Sequence, residues 1–464
     1  MKVVKGVADK PTLDDLSREE LIALIVELRE QVERLKRSQR KQAAPFSKEK
    51  PVTNPSKPGR KKGQGSFERR QAPSEKPDVM VEAQAPASCP KCGGELEQDG
   101  FEYATTTDLP KQPKPQVTGY RVAVCRCRQC GKKVRGTAPG LAADQRGATA
   151  HRVGPCLMAA AHALHYSVGV PQRKVPAVLK ELTGVSITQS ALAQNALRNA
   201  KGLVGAQYQR LRGSIRESRF VHTDDTGWRV GGKGAFLMAF ETEQATVYQI
   251  RSQHRNEEVR ELIPSDYAGV MITDRGKSYD AKEFENVDQQ KCLAHILRNI
   301  QDVLEDQQGR ARQFGLKAKG LFQEGMVLWR ARQSLPEAEF SEKADEIKKQ
   351  VTHHLRHRLL EDDANQKLLD GLGLEDDKGH LMRFLSAPFV EPTNNRAERM
   401  LRPAVIARKV SHCSKNLAGA HAFAAFASVA QTARKAGASV SATFRLLLAG
   451  PIAETVELLE STTR

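Results

Sequence analysis

Three acidic side chains sit in contexts where carboxylates gather around metal ions. Asp224 follows the β-rich run Phe220-Val221-His222-Thr223. Asp274 closes the apolar run Gly269-Val270-Met271-Ile272-Thr273 and precedes an Arg275-Gly276 turn. Glu398 lies in EPTNNRAERMLRP, residues 391–403. If the two runs are neighbouring strands, their aspartates face each other at one sheet edge. Bare carboxylates that close repel, which raises one pKa unless a cation joins them. Two Mg²⁺ or Mn²⁺ ions about 4 Å apart lift that penalty and create a site for phosphoryl transfer. One ion activates a water or hydroxyl and the other steadies the leaving oxygen of an in-line displacement. The third carboxylate should come from a helix docked on the sheet. Thr393 or Asn394 can cap that helix and Pro403 should limit it, while Asn394, Asn395 and Glu398 share a face that Arg402 continues toward phosphate. Asp225 adjoins Asp224 and can exchange roles with it, and Glu391 competes with Glu398 from a Pro-flanked position. His222, His295 and Arg298 are further candidates for assisting, although packing is the commoner fate of such residues.

A second chemistry is written in cysteines. Cys89-Pro-Lys-Cys92-Gly and Cys127-Arg-Gln-Cys130-Gly are near-identical knuckles. A CxxC turn followed by glycine aims two thiolates at one ion, and two such turns complete a closed four-sulfur zinc site. With no ligand position left for water, that zinc is structural. Cys125 falls outside the knuckle, and Cys156, Cys292 and Cys413 are isolated, for which buried packing is the default.

The elements that must position these groups follow from composition and periodicity. The 464 residues suffice for two to four domains at roughly 100–200 residues each. Lys and Arg number 73 against 55 Asp and Glu, a net charge of +18 that favours a polyanionic partner. The sequence has no apolar stretch of membrane-spanning length and no secretory signal, and paired CxxC motifs suit a reducing compartment, so a cytoplasmic protein with no membrane partner is expected. Residues 13–37 read as a coiled-coil helix, with Ile25 and Val32 at a and Leu21, Leu28 and Leu35 at d, a pattern for two parallel strands. A basic linker, 38–86, is poor in large apolar residues and reads as disordered; its Lys57, Arg60, Lys61 and Lys62 can lie along phosphates. Residues 87–136 form the zinc-ribbon segment. Residues 150–213 read as helical, with a helix, Gly-centred turn, helix pattern in which Ser186 or Thr188 caps the second helix and Gln189, Ser190 and Gln194 can reach base edges. From 218 the pattern turns β-rich: three turn-linked strands, a short helix, then a further strand, the order of a ribonuclease-H-like fold. This core spans 218–410 with a charged helical insertion at about 300–385, and 411–464 reads as a C-terminal helical tail. The fold class expected is thus multidomain and mostly α, with an α/β core.

HTDDTGWRVGGKGAF, TDRGKSYD, QKCLAHILRN and EPTNNRAERMLRPAVIARKVS together resemble the signature blocks of the insertion-sequence sixty-six family of bacterial transposases. The resemblance covers most of the chain in order. It implies a DDE core mapped onto Asp224, Asp274 and Glu398, binding to double-stranded DNA at the terminal inverted repeats of a mobile element, and strand cleavage and transfer at element ends and target. It further implies action as a homodimer or higher oligomer on DNA, with accessory proteins of the same element as possible partners, in the nucleoid. The family usually has Glu-Thr after the first aspartate, where this chain has Asp225-Thr226. A non-catalytic zinc-containing DNA-binding regulator and a structure-specific nuclease are the alternatives, and the three acids discriminate the regulator from an enzyme.

Overall fold

Eleven residues, Phe220–Val230, form the longest strand among the described residues and the middle strand of its sheet. A computed structural model describes residues 80–83, 86–97, 104, 115–142, 144–147, 150–356, 358–411 and 413–449. Residues 13–37, read as a coiled coil, and Lys57, Arg60, Lys61 and Lys62 lie outside them. The chain divides into two units, 1–108 and 109–464. In the first, the described residues of note are those of the Cys89–Gly94 turn. The elements that follow belong to the second.

A hairpin, β1 (Val124–Arg126) and β2 (Lys133–Arg135), precedes four helices: α1 (Pro155–Tyr166), α2 (Val175–Thr183), α3 (Gln189–Asn199) and α4 (Leu203–Ile215). The long strand is β3, followed by β4 (Lys233–Glu241), β5 (Thr246–Arg251), helix α5 (Asn256–Arg260), β6 (Val270–Thr273) and β7 (Gln289–Lys291). Val230 pairs with Lys233, so only Gly231 and Gly232 turn the β3–β4 hairpin, at φ 59° and 82°. A type I′ turn needs positive φ at both positions, which glycine adopts at no steric cost. The sheet order is β5-β4-β3-β6-β7; the first three strands run antiparallel, and β6 and β7 join in parallel.

Helices cover the sheet. β5 is buried along almost its whole length, and β4 from Leu237 to Glu241. Helix α12 (Leu417–Lys435) protects the β5 edge: Ser428 and Thr432, one turn apart, accept the Tyr248 and Thr246 N–H groups at 2.8 and 3.1 Å. That satisfies donors which would otherwise template pairing with another chain. The opposite edge is closed by the returning chain, where Lys291 N–H donates to the His380 carbonyl and Gln290 bonds Leu381 and Phe384. A core built around Val221, Leu237, Phe240 and Val247 takes in Ala159, Val204 and Ile215 before the sheet and Phe426 and Phe444 after it. Between β7 and the Glu398 helix, α6 (Leu293–Glu305), α7 (Ala311–Ala331), α8 (Glu337–His354), α9 (Asp363–Asp377) and α10 (Arg383–Ser386) build a second core that reaches the sheet at Phe220, Val270 and Ile272. Helices α11 (Asn395–Ser411) and α13 (Val440–Ala449) complete a chain that is about half helical around a mixed sheet. Among the described residues no helix is long and apolar enough to cross a membrane.

Candidate active site

β3 and β6 run side by side in the same direction, with His222 paired to Ile272. Two residues beyond that pair come Asp224, midway along β3, and Asp274, the residue after β6, so the register carries both to one level where the β3–β6 pairing ends. Side chains alternate across a strand. Even-numbered residues of β3 therefore face α11: His222 bonds Asn394 at its start, and Thr226 bonds Arg408 near its end. Asp225 points the other way and pairs with His254 at 3.0 Å.

Burial pushes the Asp224 carboxyl up to about 7. A bond from the Asp225 N–H at 2.8 Å works against the shift, and the negative charges of Asp274, Asp225 and Glu398 add to it. Asp274 is oriented by the Gly276 N–H at 2.9 Å, two residues further along the chain. The Glu398 carboxylate, about one-third exposed, lies 3.7 Å from His295 Nε2 on α6. The structure thus brings Asp224, Asp274 and Glu398 within one electrostatic neighbourhood. Among the described residues, no three His, Cys, Asp or Glu side chains stand close enough to hold one metal ion as placed. The set nonetheless fits a hard divalent cation on its chemistry, since three partly exposed carboxyl groups supply oxygen donors whose mutual repulsion such a cation would relieve.

Each competing acid is otherwise engaged. Glu391 lies 3.7 Å from Arg396, whose guanidinium covers the Phe220 ring. Asp225 holds His254; burial opposes charge on that imidazole, but the bond to Asp225 and the fields of Asp225, Asp274 and Asp224 prevail and raise its pKa. His222 is fully buried, and desolvation first, then the charge of Arg396, lowers its pKa to about 3, so it is a neutral packing residue near neutral pH. Arg402 is exposed on α11 one turn beyond Glu398. Two local expectations are corrected. Pro403 does not end the helix, which continues to Ser411 because Ala404 and Ala407 beyond it are buried and hold the next turns in place. Asn394 spends its side-chain amide on β3 rather than on the first turn of its own helix. His254 escaped the sequence reading, and no local pattern marks it: its partner is 29 residues away.

The two cysteine knuckles share a local geometry, each within its own unit. Gly93 and Gly131 adopt φ 74° and 68° and donate to the Cys89 and Cys127 carbonyls at 2.8 and 2.9 Å. Backbone donors favour a thiolate at the first cysteine of each: Lys91, then Cys92, lowers the Cys89 pKa, and Cys130, then Gln129, lowers that of Cys127. The second knuckle sits in the β1–β2 loop, and Cys125, on β1, is exposed.

Gly184, at φ 72°, turns the chain between α2 and α3, and Thr188 caps α3 by accepting the Ala191 N–H at 3.1 Å. Gln189, Ser190 and Gln194 are exposed on α3. Gln189 and Gln194 line a cleft of about 520 Å³ with Trp228 and Lys415. Asn195, Arg198 and Asn199 line a larger one of about 1470 Å³, to which Arg135, Arg146 and Arg152 also belong; Arg152 pairs with Asp144 at 2.6 Å.

A family model described as Transposase IS66 family matches residues 151–422, more than half of the chain and all of the elements that carry the three acids. No curated protein matches it.

Proposed function

The chain belongs to the IS66 family of transposases, and from that premise we propose that it binds the terminal inverted repeats of an insertion sequence and cuts and rejoins DNA there. Asp224, Asp274 and Glu398 would hold two Mg²⁺ or Mn²⁺ ions, which supply charge neutralisation and an activated oxygen nucleophile for in-line displacement at phosphorus. The observation that carries this reading is the β3–β6 register, which puts two aspartates level where the pairing of these strands ends, with the Glu398 charge beside them. The core is best read as ribonuclease-H-like, on the strength of its three antiparallel strands followed by two parallel ones in the order β5-β4-β3-β6-β7. The chain's own groups then divide the work: Gly276 orients Asp274, the Asp225–His254 pair braces the far face of β3, and Arg402 is available to a phosphate next to Glu398. The test is a cleavage and strand-joining assay on the element's own ends. Nicked and joined products that require Mg²⁺ are expected; binding without any strand scission would overturn the proposal.

The cleft beside α3 supports double-stranded DNA as the partner, because Arg135, Arg146, Arg152 and Arg198 are among its described lining residues, with Asp144 paired to Arg152 as the acid next to it. Gln189, Ser190 and Gln194 remain the candidates for base contact, and Lys57, Arg60, Lys61 and Lys62 for phosphate. Each phosphate contact contributes about 0.9 to the slope of log affinity against log salt. Arg198→Glu should therefore weaken end binding and make that slope shallower by about one contact's worth. Titrations at several salt concentrations check this, and an unchanged slope removes the cleft from the interface.

Zinc held by Cys89, Cys92, Cys127 and Cys130 is the second metal proposed, supported by the matched knuckle turns and the favoured thiolates. Cys89→Ser should release it and lower solubility or DNA binding. Metal analysis showing one zinc per chain in both proteins would refute the four-sulfur site. A homodimer or larger assembly on DNA, accessory proteins of the same element and a cytoplasmic, nucleoid-associated location complete the proposal.

A further inference from the structure

We propose that Asn394 is a positioning residue that fixes the spacing of all three acids, through hydrogen bonds to the backbone at Thr223 and Glu398 and, by way of Cys292, to that at Thr273. The inference rests on the two-ion reading above and concerns how the protein holds its ligands before any ion arrives.

Asn394 is fully buried and all its polar groups are engaged. Its side-chain Nδ2 donates to the Thr223 carbonyl at 2.8 Å, the residue before Asp224. Its own carbonyl accepts the Glu398 N–H at 3.2 Å. Its backbone N–H donates to the Cys292 sulfur at 3.1 Å. Cys292 in turn donates its N–H at 2.8 Å to the carbonyl of Thr273, the residue before Asp274. One asparagine thus ties together β3, the start of α11 and, through one cysteine, the end of β6.

The orientation of the amide is fixed by chemistry. A carbonyl can only accept, so Nδ2 faces Thr223 and Oδ1 faces His222 Nδ1 at 3.1 Å. The proton between them must then sit on Nδ1 of the imidazole, since the amide oxygen has none to give. Aspartate at 394 would keep the shape and the acceptor toward His222, but would set an oxygen against the Thr223 carbonyl. The neighbouring contact Leu293 N–H to Pro392 O, at 2.9 Å, keeps α6 and the segment before α11 together without touching any acid's carrier. The clasp therefore governs where Glu398 stands relative to Asp224, more than whether the helix docks.

The experiment follows the rise in melting temperature as Mn²⁺ is added to the full chain without DNA, alongside end binding and cleavage rate. Supporting shells of this kind typically affect metal affinity or activity by about 10–100-fold. Asn394→Asp should move the Mn²⁺ midpoint about tenfold or more upward and slow cleavage by a similar or larger factor, with end binding unchanged. Thr432→Val, which removes a hydrogen-bond pair at the β5 edge far along the chain, should lower the melting temperature and leave the Mn²⁺ midpoint in place. If Asn394→Asp does not fold, Cys292→Ala, which deletes only the sulfur acceptor, should still shift the midpoint. A wild-type response that Asn394→Asp or, in its place, Cys292→Ala keeps in full overturns the clasp alone. A wild-type chain with no Mn²⁺ response overturns the two-ion reading and the clasp together.

Discussion

Asp224→Asn, Asp274→Asn and Glu398→Gln are each expected to slow Mg²⁺-dependent cleavage of end DNA by on the order of a thousandfold, with binding of the same DNA nearly unchanged. The magnitude follows from the several kcal/mol of transition-state charge stabilisation that a metal ion supplies, at about 1.4 kcal/mol per tenfold in rate. Binding is expected to persist because the arginine-lined cleft proposed above as the DNA interface includes none of the three acids. Two controls sharpen the result. Glu391→Gln should cleave almost as wild type, since that carboxylate faces Arg396. Asp225→Asn should fall between, because Asp225 braces His254 on the opposite face of β3 without standing among the three. Rates from single-turnover assays settle the order. A Glu391 variant as inactive as the Glu398 variant would exchange their assignments, and normal cutting by all three acid variants would dismiss the mechanism.

Asp224→Asn should also make the protein more stable when Mg²⁺ and Mn²⁺ are absent. A carboxyl that titrates near 3.8 in the unfolded chain and near 7 in the folded one binds more protons when folded between those values. Stability from this group is accordingly lost as pH rises through that window and stays lost above it. The full loss amounts to about 4 kcal/mol as an upper bound, reduced by whatever solvent reaches the side chain. The amide has no charge to desolvate. Wild type and Asp224→Asn should therefore unfold alike near pH 4 and diverge toward pH 7.5, with the variant more stable. Adding Mn²⁺ at pH 7.5 should raise wild type and leave the variant nearly where it was. Denaturant midpoints across pH, in protein dialysed free of both ions, measure this; a variant less stable than wild type at pH 7.5 would mean that Asp224 serves the fold rather than an ion.

Local pattern carried much of this site. Gly231-Gly232 between β-rich runs announced the first hairpin, and an apolar run ending in Asp274 announced the strand that lies beside β3. Thr188 behaved as the cap its position suggested. What local pattern could not carry was the direction in which side chains face. Asp224 and Asp225 differ only in which face of one strand they occupy, and that distinction acquires meaning only when α11, some 170 residues on, packs on one side. Asn394 looked like a helix cap for the same reason: a short polar side chain before a helix has a local use, and its actual partners, Thr223 and His222, are 171 and 172 residues away. Pro403 was read by its missing N–H, but the buried alanines after it outweigh one absent bond. The sequence predicts a helical tail after 411, and the partners of that helix are again distant: Ser428 and Thr432 fasten it to β5 across 180 and 186 residues.

The account depends on Asp224, Asp274 and Glu398 gripping divalent ions together, and Mn²⁺ binding measured by electron paramagnetic resonance on zinc-loaded, otherwise metal-free protein near pH 7.5 asks that directly. Saturable binding of two ions per wild-type chain is predicted, with the loss of at least one in every single-acid variant. Equal Mn²⁺ uptake by wild type and by a chain lacking all three acids would contradict it.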